Sequence, residues 1–171
     1  MTVSSKVDFR PASSQSVAWH KILTLTLAFW LGASLLLDLV IMPSLYASGM
    51  MSEPDFVPAG YGIFWIFNRI ELLCAALVVT GVLVQQKMSL SSKRNRVLLS
   101  FLMLSAVMIC TYFITPEMGA LGVQLDLFES SIAIPEGMSQ LHTSYWILEI
   151  IKFVAGGVLL GWTLDRPSET L

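Results

Sequence analysis

The sequence predicts an all-α integral membrane protein, an antiparallel four-helix bundle with both termini on the cytoplasmic side. Three observations predict it. Hydrophobic residues fill 55% of the 171 positions and charged residues only 13%, which is more apolar surface than a soluble core of this size can bury. Four apolar stretches match or approach the ~20 residues of helix needed to cross a bilayer core. The connections between them alternate between acidic and basic, and basic loops are the ones retained on the cytoplasmic face.

Residues 1–17, "MTVSSKVDFRPASSQSV", are serine-rich and lack an apolar period; a disordered cytoplasmic tail is expected. Residues 18–165 form the transmembrane domain. Its first span covers about 19–42, longer than the ~7–15 residue apolar core of a signal peptide, and it contains Asp38. It is therefore expected to be retained. The following connection, "ASGMMSEPDFVPAG", has acids and no base. Span two, about 61–84, carries Asn68, Arg69 and Glu71. After it, "QQKMSLSSKRNR" brings Lys87, Lys93, Arg94 and Arg96 to the cytoplasmic side. Span three covers about 97–115. The long third connection, "PEMGALGVQLDLFESSIAIPEGMSQLHT", is again acidic without a base. Within it Met118, Leu121, Leu125 and Phe128 fall at helical spacing, and Pro116 suits a first helical turn. Two alternatives stay open there, a helix that extends span three or lies in the interface, and a loose loop. Span four covers about 144–164, and residues 166–171 form a short cytoplasmic tail.

Several function classes drop out. A net charge of −2 without a basic stripe argues against nucleic-acid binding. No glycine-rich phosphate loop, serine-nucleophile motif or HExxH helix occurs, so a non-enzymatic role is expected. Cys74 and Cys110 lie on different spans at different depths, which favours buried thiols over a disulfide. His20 and His142 fall at opposite faces of a core about 30 Å thick, too far apart to hold one haem. No cofactor is therefore expected, with copper or another metal ion as the alternative developed below.

The chemistry is in the ionisable residues inside the spans. A central membrane charge costs about 2.5 to 3.5 kcal/mol, against a gain of about 0.3 to 0.6 kcal/mol per Leu, Ile, Val or Phe. Span two has 13 such apolar residues against Arg69 and Glu71, so lipid-facing charges would leave it marginal. These groups are expected to face protein, water or a ligand. At about 100° per residue, Asn68 points between Arg69 and Glu71, so those two reach different neighbours. Asp38 on span one, with Glu149 and Lys152 on span four, lies at matching depth in the extracytoplasmic half. Asp38 with Arg69 and Glu71 with Lys152 are the expected ion pairs. Glu117 and His142 are accessory candidates on the same side.

Met50, Met51, Met118 and Met138, with His142, are weak candidates for a soft metal such as Cu(I), which thioethers favour; apolar filling is the plainer role of methionine. Gly32, and the Gly157 and Gly161 step in span four, would permit close helix packing inside the bundle or against a partner.

The stretches "FWLGASLLLDLVIMPSLYASGM", "GYGIFWIFNRIE", "YFITPEMGAL" and "QLHTSYWILEIIK" resemble the domain-of-unknown-function 4149 family, related to the four-span transmembrane protein 205-like proteins. Together they cover nearly all of 19–164. The wording "FNRIELLCAALVVTGVLV" is similar to cyanobacterial members. The resemblance implies a four-helix membrane protein without an established reaction, in a plasma or thylakoid membrane. Some relatives are connected with drug or metal resistance.

Two functional expectations follow. In the first, a buried network of Asp38, Asn68, Arg69, Glu71, Glu149 and Lys152 fixes the bundle in the lipid bilayer and supports a membrane-protein partner or homo-oligomer. In the second, the same groups form a pocket open to the extracytoplasmic side that binds or transports a proton, small cation or metal.

Overall fold

A computed structural model describes residues 12–50, 56–84, 90–127 and 136–165. Most of the two tails, Met51 and Lys87 lie outside the described residues. The elements are α1 (Ala12–Leu35), a wide π-helical segment π1 (Leu36–Ile41), α2 (Met42–Ala47), α3 (Phe56–Val84), α4 (Leu90–Ile109), a second wide segment π2 (Cys110–Ile114), α5 (Thr115–Leu127) and α6 (Glu136–Leu164). The described residues contain no strand. Four continuous stretches, Val17–Ala47, Pro58–Val84, Lys93–Gly122 and Gly137–Leu164, are long and apolar enough to cross a membrane, the organisation of a multi-pass membrane protein.

Both wide segments have a visible cause. A proline inside a helix has no N–H to donate, and its ring collides with the carbonyl one turn earlier. Pro43 directly follows the junction of π1 with α2, and Pro116 directly follows the junction of π2 with α5. At each junction the chain takes one extra residue per turn. Met42 N–H bonds to Leu37 O, and Thr115 N–H to Cys110 O. The helix absorbs the ring without breaking, and the phase of the side chains upstream is rotated. Continuity through π2 also decides the alternative left open in the third connection: residues through Leu127 extend span three as helix.

The helices pack in the cyclic order α1, α3, α4, α6, each touching two neighbours. One face of each turns inward to form a core of Leu23, Leu27, Trp30, Val78, Val82, Met103, Val107 and Leu159. The opposite faces are also apolar: Leu25, Leu73, Phe113 and Val154 are 62–70% exposed. A helix apolar on both sides suits lipid rather than water as its outer solvent.

The glycines correct one expectation. A Cβ built at Gly32, Gly157 or Gly161 would meet nothing within 4 Å, so none of them serves close packing within the chain. Within α6 the close approach is at Gly156, where a Cβ would lie 2.8 Å from Leu31 Cδ2 and 2.9 Å from Met103 Cε. The cause is helical phase, since one residue rotates the side chain by about 100° and takes Gly157 off the inward face. Gly156→Leu is expected to lower the melting midpoint, at an overpacking cost of about 1–3 kcal/mol. Gly157→Leu should melt with the parent protein; a thermal denaturation series in detergent checks both.

Candidate functional site

The polar residues gather in the half of the bundle where α2, the start of α3, α5 and the start of α6 converge. On α1 and π1, Trp30, Ser34 and Asp38 recur at four-residue spacing and so share a face. On α6, Tyr145, Glu149 and Lys152 do the same with spacings of four and three. Asn68 and Glu71 come from α3, and Thr115 from the start of α5.

At the centre is Lys152, 1% exposed. Its ammonium donates to Glu71 Oε1 at 2.5 Å and to Glu149 Oε1 at 2.7 Å, with Glu149 Oε2 at 2.6 Å. Glu71 Oε1 also accepts from Trp30 Nε1 at 2.8 Å and from Ser34 Oγ at 2.9 Å. Three helices are thereby joined through one carboxylate oxygen. Asp38 takes a hydrogen bond on Oδ1 from the Tyr145 hydroxyl at 2.8 Å. Its Oδ2 is buried and accepts no hydrogen bond from the described residues. The side chain also stands within hydrogen-bonding range of Glu149, which can donate to it as a neutral carboxyl and cannot as a carboxylate. Beside this cluster Asn68 Nδ2 donates to Thr115 Oγ1 at 2.8 Å.

Of the residues singled out in the sequence, Asp38, Glu71, Glu149 and Lys152 are brought together, and Asn68 lies next to them. The expected pair of Glu71 with Lys152 forms. The expected pair of Asp38 with Arg69 does not. Arg69 is exposed, with its guanidinium 3.4 Å from the centroid of the Trp65 ring and Nη1 donating to Trp65 O at 3.3 Å. The reason lies in the same helical phase that separates it from Glu71. Arg69 leaves α3 on the outer side of Asn68, and its long chain folds back over the preceding turn instead of reaching π1. Without Arg69, the cluster holds three carboxyl groups and one ammonium, which contacts Glu71 and Glu149.

Above the cluster is a cavity of about 530 Å³. Asp38, Phe64, Thr115 and Tyr145 lie at its inner end, and Tyr46, Phe56, Tyr61, Met118, Met138, His142 and Trp146 are among its walls. From Asp38 to Tyr46 the helix rises about 12 Å. His142 is thus a wall residue, whereas Glu117 and Met50 are exposed outside the cavity. No group of three His, Cys, Asp or Glu able to hold a metal ion occurs among the described residues. Met118, Met138 and His142 do share the cavity wall.

Trp30, Ser34, Thr115, Tyr145 and Arg96 were not singled out from the sequence. For Trp30, Ser34 and Tyr145 the signal was available as helical spacing to Asp38 and Glu149. Thr115 required knowing that π2 rotates it toward Asn68. Arg96 reads as one of four basic residues in a connection, yet it is buried within α4 and donates to Trp162 O at 2.7 Å. No protein-family model, no curated protein and no solved structure matches this chain.

Proposed function

We propose that the protein is a four-span membrane protein whose buried acidic cluster receives a cation through the cavity. One observation carries this reading: three carboxyl groups are buried in one cluster, its ammonium contacts Glu71 and Glu149, and the third group, Asp38, lines the cavity with one oxygen that accepts no hydrogen bond from an N–H or hydroxyl of the described residues. Burying anionic oxygen without a donor or counter-charge is costly, and a cation supplied from the cavity removes that cost. The same ion pairs fix the register of the helices, so binding and structural roles coincide in one cluster.

The chain is further proposed to be antiparallel, with the cavity on the extracytoplasmic side. Lys21, Lys93 and Arg94 lie toward one end of the described bundle, and Glu117 and Glu136 toward the other, the asymmetry that retention of basic residues produces. Kinship with the domain-of-unknown-function 4149 family is proposed on the sequence stretches quoted above.

Linkage gives the test. A ligand that binds only the folded protein raises its melting midpoint saturably. Protein in nanodiscs is titrated at constant ionic strength with sodium, potassium, Cu(I) and organic ammonium ions. At least one should stabilise the parent protein and leave Asp38→Asn unmoved. No response to any cation, or an equal response in Asp38→Asn, overturns the reading.

A further inference from the structure

Resting on the cation-accepting reading above, we propose that the cavity binds an amphiphilic amine, a protonated ammonium with at least one N–H on an apolar body, seated with that N–H on the Asp38 carboxyl. Three features of the cavity select this class.

The first is size. At about 530 Å³ the space falls within the range of about 300–1,000 Å³ that holds small organic ligands, and it is far larger than a bare metal ion needs. The second is the lining. Phe64, Tyr61, Trp146 and Met118 present rings and a thioether, whereas a hard inorganic cation calls for about six or more oxygen ligands. Aromatic faces attract an organic cation through their quadrupole and bury its apolar body as well.

The third is the missing donor. Tyr145 occupies Oδ1 of Asp38, and Oδ2, at a residue only 3% exposed, takes no hydrogen bond from an N–H or hydroxyl of the described residues; Glu149, within range of it, donates only as a neutral carboxyl, and a bound ammonium would let both acids stay ionised. A quaternary ammonium supplies charge but no N–H, and an alcohol supplies a donor but no charge. A protonated amine supplies both. An anionic ligand would be repelled by Asp38, Glu71 and Glu149 together. A free amine and the ethanolamine headgroup of a lipid share this ammonium chemistry, and the experiment separates the two sources.

The test uses the full chain in phosphatidylcholine nanodiscs with three matched probes: 4-phenylbutylamine, its trimethylammonium analogue and 4-phenylbutanol. The amine should bind saturably and at least tenfold more tightly than either analogue, and Asp38→Asn should reduce it to the level of the alcohol. Should Asp38→Asn fail to fold, Gly60→Trp serves instead. Gly60 lines the cavity, with nothing within 4 Å of a built Cβ, so the new ring fills the space without touching the cluster and should abolish amine binding.

Competition from added phosphatidylethanolamine assigns the ammonium to a lipid headgroup; undiminished amine binding assigns it to a free ligand. Equal binding of amine and alcohol overturns the inference, as does amine binding that survives both variants. If sodium, potassium or Cu(I) stabilises the protein through Asp38 while the amine does not, the amine is excluded and the broader cation site stands.

Discussion

Lys152→Met is expected to abolish the folded, monodisperse protein. The side chain is almost isosteric along its stem, so the change isolates the charge. It removes the one ammonium within hydrogen-bond distance of Glu71 and Glu149 and strands their carboxylates in a layer where both residues are 2% exposed. Removing one partner of a buried ion pair typically costs about 3–5 kcal/mol, because the remaining charge is uncompensated. Set against a total stability of about 5–15 kcal/mol, that loss is enough to unfold a marginal bundle. The rescue is equally specific. Glu71→Gln and Glu149→Gln added to Lys152→Met remove the stranded charges while keeping an acceptor for Trp30 and Ser34, and should restore most of the folded yield. Size-exclusion chromatography and thermal melting of the single and triple variants check this. Arg69→Leu is the control, and since the contacts of the Arg69 guanidinium among the described residues are to Trp65 of its own helix it should leave both readouts unchanged. A Lys152→Met protein that melts within about 1 kcal/mol of the parent would show that the carboxylates are not held as charged partners.

Arg69 and Lys152 show what could be read before the structure. Both are single cations in apolar spans, and composition alone treats them alike. Helical phase distinguishes them only once the inward direction of each helix is known, and that direction is set by contacts between helices. Glu149 and Lys152 lie three apart on one face and meet wherever that face points. Arg69 and Glu71 are two apart and diverge, which the sequence already required. The number and order of the apolar helices followed from hydropathy, because crossing a bilayer is a constraint on length and composition. The glycine step does not pack within the bundle for the converse reason: Gly157 and Gly161 satisfy a spacing rule, but the rule does not say which face is inward, and in this helix the inward glycine is Gly156.

The wide segments lie between these cases. Pro43 and Pro116 are visible in the sequence, and a proline within a helical pattern signals a local defect. Whether the helix kinks, stops or widens depends on what its neighbours can accommodate. In this bundle both helices widen, and each widening adjoins the site: Asp38 sits inside π1, and Thr115 caps π2. The polar residues that face the cavity from these two helices thus owe their phase to prolines, Pro43 five residues beyond Asp38 and Pro116 directly after Thr115, and a straight-helix projection would have misplaced them.

Arg96→Met is expected to lower stability by about 2 kcal/mol through the other end of the bundle. Arg96 is 6% exposed and donates from Nη2 to the carbonyl of Trp162, with its guanidinium 5.8 Å from the centroid of the Trp162 ring. Trp162 lies in the last turn of α6, where carbonyls have no partner within the helix and the helix dipole favours a positive charge. A hydrogen bond from a charged group is worth about 1.5–3 kcal/mol, and methionine keeps the apolar stem while losing that bond. Arg96→Lys retains a charge without the planar fork that lies against the indole, so its melting midpoint should fall between the two. The variants also separate two roles that the sequence merges. As a basic residue Arg96 contributes to orientation in the membrane, but Lys93 and Arg94 remain at the same end, so cysteine-accessibility mapping of the termini should show an unchanged topology in Arg96→Met. Loss of stability without inversion identifies the arginine as the cap that ties α4 to α6. Unchanged melting would mean that the contact carries no net stability, and inversion would mean that its charge acts mainly through orientation.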